Sequence, residues 1–117
     1  MAEFVVNFTK EAAATRNKLR DDAKASLAHR KKNKKAKSSK QEGLYKQVAK
    51  TISYLTQNTR HPSLNTHEYD SLKHPFEENG QVFEAYAQNK TPGAYRVFWC
   101  YGPKAGEITI IAITPHP

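Results

Sequence analysis

Apolar positions are thin over most of the chain and crowd into its C-terminal part. From Ala94 to Pro117 the sequence reads AYRVFWCYGPKAGEITIIAITPHP, two β-rich runs around a short polar break. The first run, 95–101, is aromatic and β-branched, and the second, 107–114, is almost all Ile and Thr. Gly102, Pro103 and Gly106 lie between them, so the pattern predicts a β-hairpin that supplies the middle of a sheet. Upstream, residues 81–88 alternate as a strand does. Val82, Glu84 and Tyr86 fall on one side, and Phe83, Ala85 and Ala87 on the other. A short apolar run from Glu3 to Phe8 predicts an edge strand.

The segment between these strands has a different period. Thr9 can cap a helix that begins at Lys10 and meets no Gly or Pro before about Lys37. Ala12, Leu19, Ala23 and Leu27 form its apolar stripe, which is too thin to pack strongly. After a break at 38–43, a second helix is expected over about 41–58. Leu44, Val48, Ile52 and Leu55 line one face there, widened by Tyr45 and Ala49. Short connections make the two helices antiparallel neighbours. Residues 59–80 are polar, with Pro62 and Pro75, and read as a connecting segment. The expected architecture is α+β: a single domain over 1–117 in the order β-α-α-β-β-β. A basic helical hairpin (9–58) packs on one face of a small antiparallel sheet (81–115).

Composition sharpens this picture in two ways. With 117 residues and a mean hydropathy of −0.81, the chain can build one modest core. The charge is uneven: residues 10–50 hold 14 Lys/Arg against 4 Asp/Glu, while the remainder is net −2. A block this basic points to a polyanion or an acidic protein as partner. Arg30, Lys31, Lys32, Lys34, Lys35 and Lys37 are its densest part and the candidate nucleic-acid-binding residues. One cysteine, Cys100, excludes an internal disulfide and reads as a core thiol. No apolar run approaches the ~20 residues of a membrane span, and MAEFVVNF lacks the pattern of a signal peptide. The expected location is the cytoplasm.

One residue breaks the strand pattern. Arg96 lies inside the central strand, where a charge survives only on a face open to water or to a ligand. The plain alternative to a ligand is that it pairs with Glu84 on the open face of the sheet. Phe98 shares its parity and could stack on a base. Trp99 and Tyr101 have the opposite parity and are expected in the core against the helices. His61, His67 and His74 are spaced six and seven residues apart, which fits no metal-ligand pattern. Neither a metal nor another cofactor is expected.

Taken together, the basic helical hairpin, the segment TRHPSLNTHEYDSL, the Arg-bearing strand YRVFW and the final strand ending in ITPHP resemble the RelE/ParE superfamily of bacterial toxins. The resemblance implies the fold just described. It implies the toxin of a type II toxin–antitoxin system, held by a cognate antitoxin, that acts as a ribosome-dependent mRNA endoribonuclease. Cleavage would proceed by attack of the message's own 2′-OH without a metal, with ribosome and mRNA as partners. Arg96 matches the strand arginine placed on the phosphate. His116 matches the C-terminal histidine that some members use as acid or base. Glu84 and Tyr86 become candidate base or stacking groups. The alternatives are a non-enzymatic ParE-like toxin of the same superfamily, with gyrase as its target, or a nucleic-acid-binding module outside it, each acting by docking alone.

Overall fold

Thr9 marks the corner where strand becomes helix. Its hydroxyl accepts from the Ala12 N–H at 3.1 Å and donates to the Ile111 carbonyl at 2.7 Å. One side chain therefore caps the helix and ties it to a distant strand. The computed structural model describes residues 3–32, 39–88 and 93–115. Its elements are β1 (Val5–Phe8), α1 (Lys10–Lys32), α2 (Lys40–Gln57), a 3-10 turn (Pro62–Leu64), β2 (His67–Glu68), β3 (Phe83–Tyr86), β4 (Tyr95–Tyr101) and β5 (Glu107–Pro115).

The strands form one sheet in the order β1-β5-β4-β3-β2. The expected hairpin is its centre, β4 against β5, and the helical hairpin packs on one face. The sheet is mixed rather than wholly antiparallel, and wider than residues 81–115. β1 runs parallel to β5, with Val5 beside Glu107 and Phe8 beside Ile110. The long return through both helices allows a parallel pairing that a tight turn would forbid. At the opposite edge the connecting segment adds β2, which pairs antiparallel with β3. Register shifts between Phe98 and Trp99, where Ala112 and Ile110 are the successive partners and Ile111 is the extra residue. This bulge exposes the Ile111 carbonyl that Thr9 takes.

Alternation then sorts the side chains. Ala85, Val97, Trp99, Ile108, Ile110 and Ile113 pack against Ala12, Val48 and Leu55 of the helices. Leu44 and Ile52 add partly buried area, so the stripe read from α2 is its core face. α1 buries only Ala12 and Ala23, as its thin stripe predicts. What the pattern did not reveal is the cap between the helices. Ser39 and Glu42 form a reciprocal capping box at the start of α2. Arg30 Nη2 reaches Glu42 Oε1 at 2.7 Å, and Ser26 joins through Ser39 at 2.5 Å. The Arg30 guanidinium, with the Ser39 N–H, pulls the Glu42 carboxyl down to about 2. Among the described residues, no helix is long and apolar enough to cross a membrane.

Candidate functional site

The register of the sheet assembles the site. Tyr86 pairs with Arg96, Glu84 with Phe98, and His67 with Glu84, so all five share the face turned away from the helices. That face is not open, contrary to the expectation for Arg96. Arg96 is 7% exposed, Phe98 2% and Glu84 0%. The connecting segment folds over it: Tyr69 lies on Phe98 with ring centroids 4.7 Å apart. Phe98 is thus covered rather than presented as a stacking platform.

Arg96 survives burial because its surroundings replace water. Its guanidinium carbon sits 3.7 Å from the centroid of the Tyr86 ring. Nη1 donates to the Gln88 carbonyl at 2.6 Å and to the Tyr95 carbonyl at 3.2 Å. Nε has no hydrogen-bond partner among the described residues. The group is charged, fixed in orientation and not fully used.

Beside it, Glu84 is buried with a histidine against it. His67 Nε2 lies 2.5 Å from Glu84 Oε1, and His67 is 48% exposed at its side chain. His67 Nδ1 lies 3.1 Å from the Asn65 carbonyl, a group that can only accept. The imidazole also meets the Tyr86 ring edge-on at 5.6 Å. Arg96, Tyr86, His67 and Glu84 therefore form one contiguous cluster on the β2 side of the sheet. A cleft of about 540 Å³ opens on the helix-facing side of this sheet edge, lined by Arg60, Asn65, Phe83, Trp99 and Tyr101; of the cluster, only His67 borders it.

No protein-family model matches the sequence, and no curated protein is significantly similar to it. Solved structures do match. The YoeB/ParE toxin from Agrobacterium tumefaciens aligns with a TM-score of 0.61 and 6% identity, over 100% of both chains. The YoeB dimer from Staphylococcus aureus aligns with a TM-score of 0.52 and 11% identity, over 99% of this chain and 100% of that one. The chain has the RelE/ParE-like toxin fold.

Within that RelE/ParE-like fold, three of the four catalytic candidates, Arg96, Glu84 and Tyr86, come together. The fourth, His116, lies outside the described residues, as do Lys34, Lys35 and Lys37. Lys31 and Lys32 are exposed at the end of α1, whereas Arg30 is held by Glu42. Gln88 links Arg96 to the helices: its side chain bonds Gln47 of α2 at 2.9 Å and its carbonyl takes the Arg96 guanidinium.

The sequence reading missed His67, since it weighed the histidines only as metal ligands. The signal that could have found it is local: Thr66-His67-Glu68-Tyr69 alternates as a strand, with His67 and Tyr69 on one side. His61 and His74 have other uses. His61 stacks on Tyr54 at 4.0 Å. His74 Nδ1 accepts from the Phe76 and Glu77 N–H groups at 3.1 Å, and Nε2 donates to the Tyr101 carbonyl at 3.2 Å. It pins the connecting segment to the end of β4. Cys100 is fully buried, and burial pushes its thiol up to about 11. It is a core thiol.

Proposed function

We propose that this protein is the toxin of a type II toxin–antitoxin system and acts as a ribosome-dependent mRNA endoribonuclease. The observation that carries the reading is the cluster itself. Cleavage by a 2′-OH requires a cation for the charged phosphorane and groups to move two protons. Arg96 supplies a fixed guanidinium with an unspent N–H. His67 sets an imidazole against both the Glu84 carboxylate and the Tyr86 ring. The fold supports the toxin class, and the exposed lysines at the end of α1 suit a phosphate-rich surface such as rRNA. A cognate antitoxin is the expected protein partner, and the cytoplasm is where such a target lies.

The test is translation of a reporter message in a cell-free system with the purified protein, followed by mapping of 5′ ends. New 5′ ends within translated codons are expected, and they should vanish when ribosomes are omitted. Uncut message with normal peptide yield overturns the reading.

A second reading has an observation of its own. Arg96 is 7% exposed and gives two bonds to backbone carbonyls, as a structural arginine would. A toxin that only docks, on gyrase or on a nucleic acid, is consistent with that. Inhibition of gyrase supercoiling, with message left intact, would favour it.

A further inference from the structure

We propose that Gln47 and Thr51, one turn apart on α2, are positioning residues for Arg96: they tether the two residues on which its guanidinium rests. The inference rests on the reading of Arg96 as the cation that meets the phosphate.

Two neighbours orient Arg96. The Tyr86 ring lies 3.7 Å from the guanidinium carbon, and the Gln88 carbonyl takes Nη1 at 2.6 Å. Both sit where β3 stops. Strand pairing sets Tyr86 opposite Arg96 and ends there. Beyond it, the Ala87 and Gln88 N–H groups turn to a single acceptor, the Tyr95 carbonyl, at 3.2 Å each. Arg96 Nη1 reaches the same carbonyl, also at 3.2 Å. A carbonyl oxygen has two lone pairs, so three donors share it weakly. The ladder by itself therefore does not fix Gln88.

Side chains complete the job. Gln88 Oε1 accepts from the Tyr95 N–H at 3.1 Å, and Gln88 Nε2 donates to Gln47 Oε1 at 2.9 Å. Thr51 serves Tyr86 in the same way. It is 4% exposed, and its hydroxyl lies 2.9 Å from the Gln47 carbonyl of its own helix and 3.2 Å from the Tyr86 carbonyl. Residues four apart on a helix face the same way, so one stripe of α2 carries both tethers. That helix is anchored in turn, by Val48 and Leu55 in the core and by Glu42 on Arg30. With Nη1 committed to carbonyls, Nη2 has no partner among the described residues and is left for a phosphate oxygen. A bond between two exposed amides adds little to stability, because water replaces it. A catalytic group displaced by about 1 Å, in contrast, can lose much of its effect on rate. Aim and stability therefore come apart at Gln47.

The experiment measures single-turnover cleavage by the full-length protein on programmed ribosomes, over a range of ribosome concentration. The double variant Gln47→Met/Thr51→Val removes both tethers at nearly constant volume. Its rate at saturation should fall on the order of tenfold, with the half-saturating concentration unchanged. Gln47→Glu/Thr51→Ser, which keeps an acceptor and a hydroxyl, should regain most of that rate. In an Arg96→Lys background the Met/Val pair should cost less than about twofold more, since residues that act through one group are not additive. The same fold-loss in both backgrounds, a loss confined to half-saturation, or an undiminished rate would overturn the assignment while leaving the ribonuclease reading intact. A wild type that does not cut removes that reading and this inference with it. If Thr51→Val does not fold, Gln47→Met alone, at an exposed position, takes its place under the same criteria.

Discussion

Arg96 carries a structural load and, on the proposed function, a catalytic one, and its variants can pull the two apart. As scaffold, it satisfies the Gln88 and Tyr95 carbonyls and covers Tyr86. Arg96→Ala leaves those acceptors short of a donor, and we expect a loss of about 2 kcal/mol, the scale for hydrogen bonds from a charged group. Arg96→Gln should regain part of that. As the phosphorane's cation, it needs two prongs, which Lys lacks. Arg96→Lys should therefore keep most of the stability while cleavage falls on the order of 10²–10³-fold. Thermal melting and 5′-end mapping on the same three variants check this. Three variants that remain toxic and are merely less stable would make Arg96 scaffold alone. At this scale the sequence was legible where a residue broke a pattern. Arg96 was visible because strand interiors exclude charge. His67 was not visible, because its importance depends on Glu84 lying across a strand pair that no local period announces. The burial of Arg96 was also hidden, since the groups against it, the Tyr86 ring and the Gln88 carbonyl, come from across a strand pair.

At the level of elements, the helical hairpin is held by one ion pair and a shared cap. The folded Glu42 carboxyl lies near 2, against an ordinary 4.5. A carboxyl depressed by folding contributes stability fully above its unfolded value and loses it as pH falls toward the folded one. The hairpin should therefore weaken as pH drops from about 4.5 to about 2. Glu42→Gln should flatten that part of a melting-temperature-against-pH curve, and an unaltered curve would mean that other carboxylates govern acid unfolding. The basic tip allows a separate measurement. If its lysines meet phosphates, exchanging Lys31, Lys32, Lys34 and Lys35 for Gln should make RNA binding less sensitive to salt. The log–log slope should shrink by roughly 0.7 for each single-strand phosphate that is no longer neutralised. Folding should be untouched, and an unchanged slope would make the tip only a solvated helix end. Arg30 is left out of that exchange because Glu42 holds it. Both helices were legible, α1 from its Thr9 cap and a run without Gly or Pro, α2 from its apolar period. The Ser39–Glu42 box stood in the sequence as S-K-Q-E, yet the Lys-rich run before it reads as charge and masks the cap.

Over the whole molecule, the order of elements and the central hairpin followed from hydrophobic pattern, because buried strands and amphipathic helices must differ in period. The two edges did not. β2 is two residues long, and β1 needs a partner far along the chain. Asn7 and Glu107, joined by a side-chain hydrogen bond between β1 and β5, are 100 residues apart in sequence. Thr9 reaches equally far, to Ile111. Such distant pairings make folding slow relative to a helical bundle. They also set an order of events during synthesis. While residues 107–115 are still inside the ribosome, β1 has no neighbour, the corner at Thr9 has no anchor, and β4 lacks one of its two flanking strands. The sheet that carries Arg96 is therefore complete only once β5 has emerged.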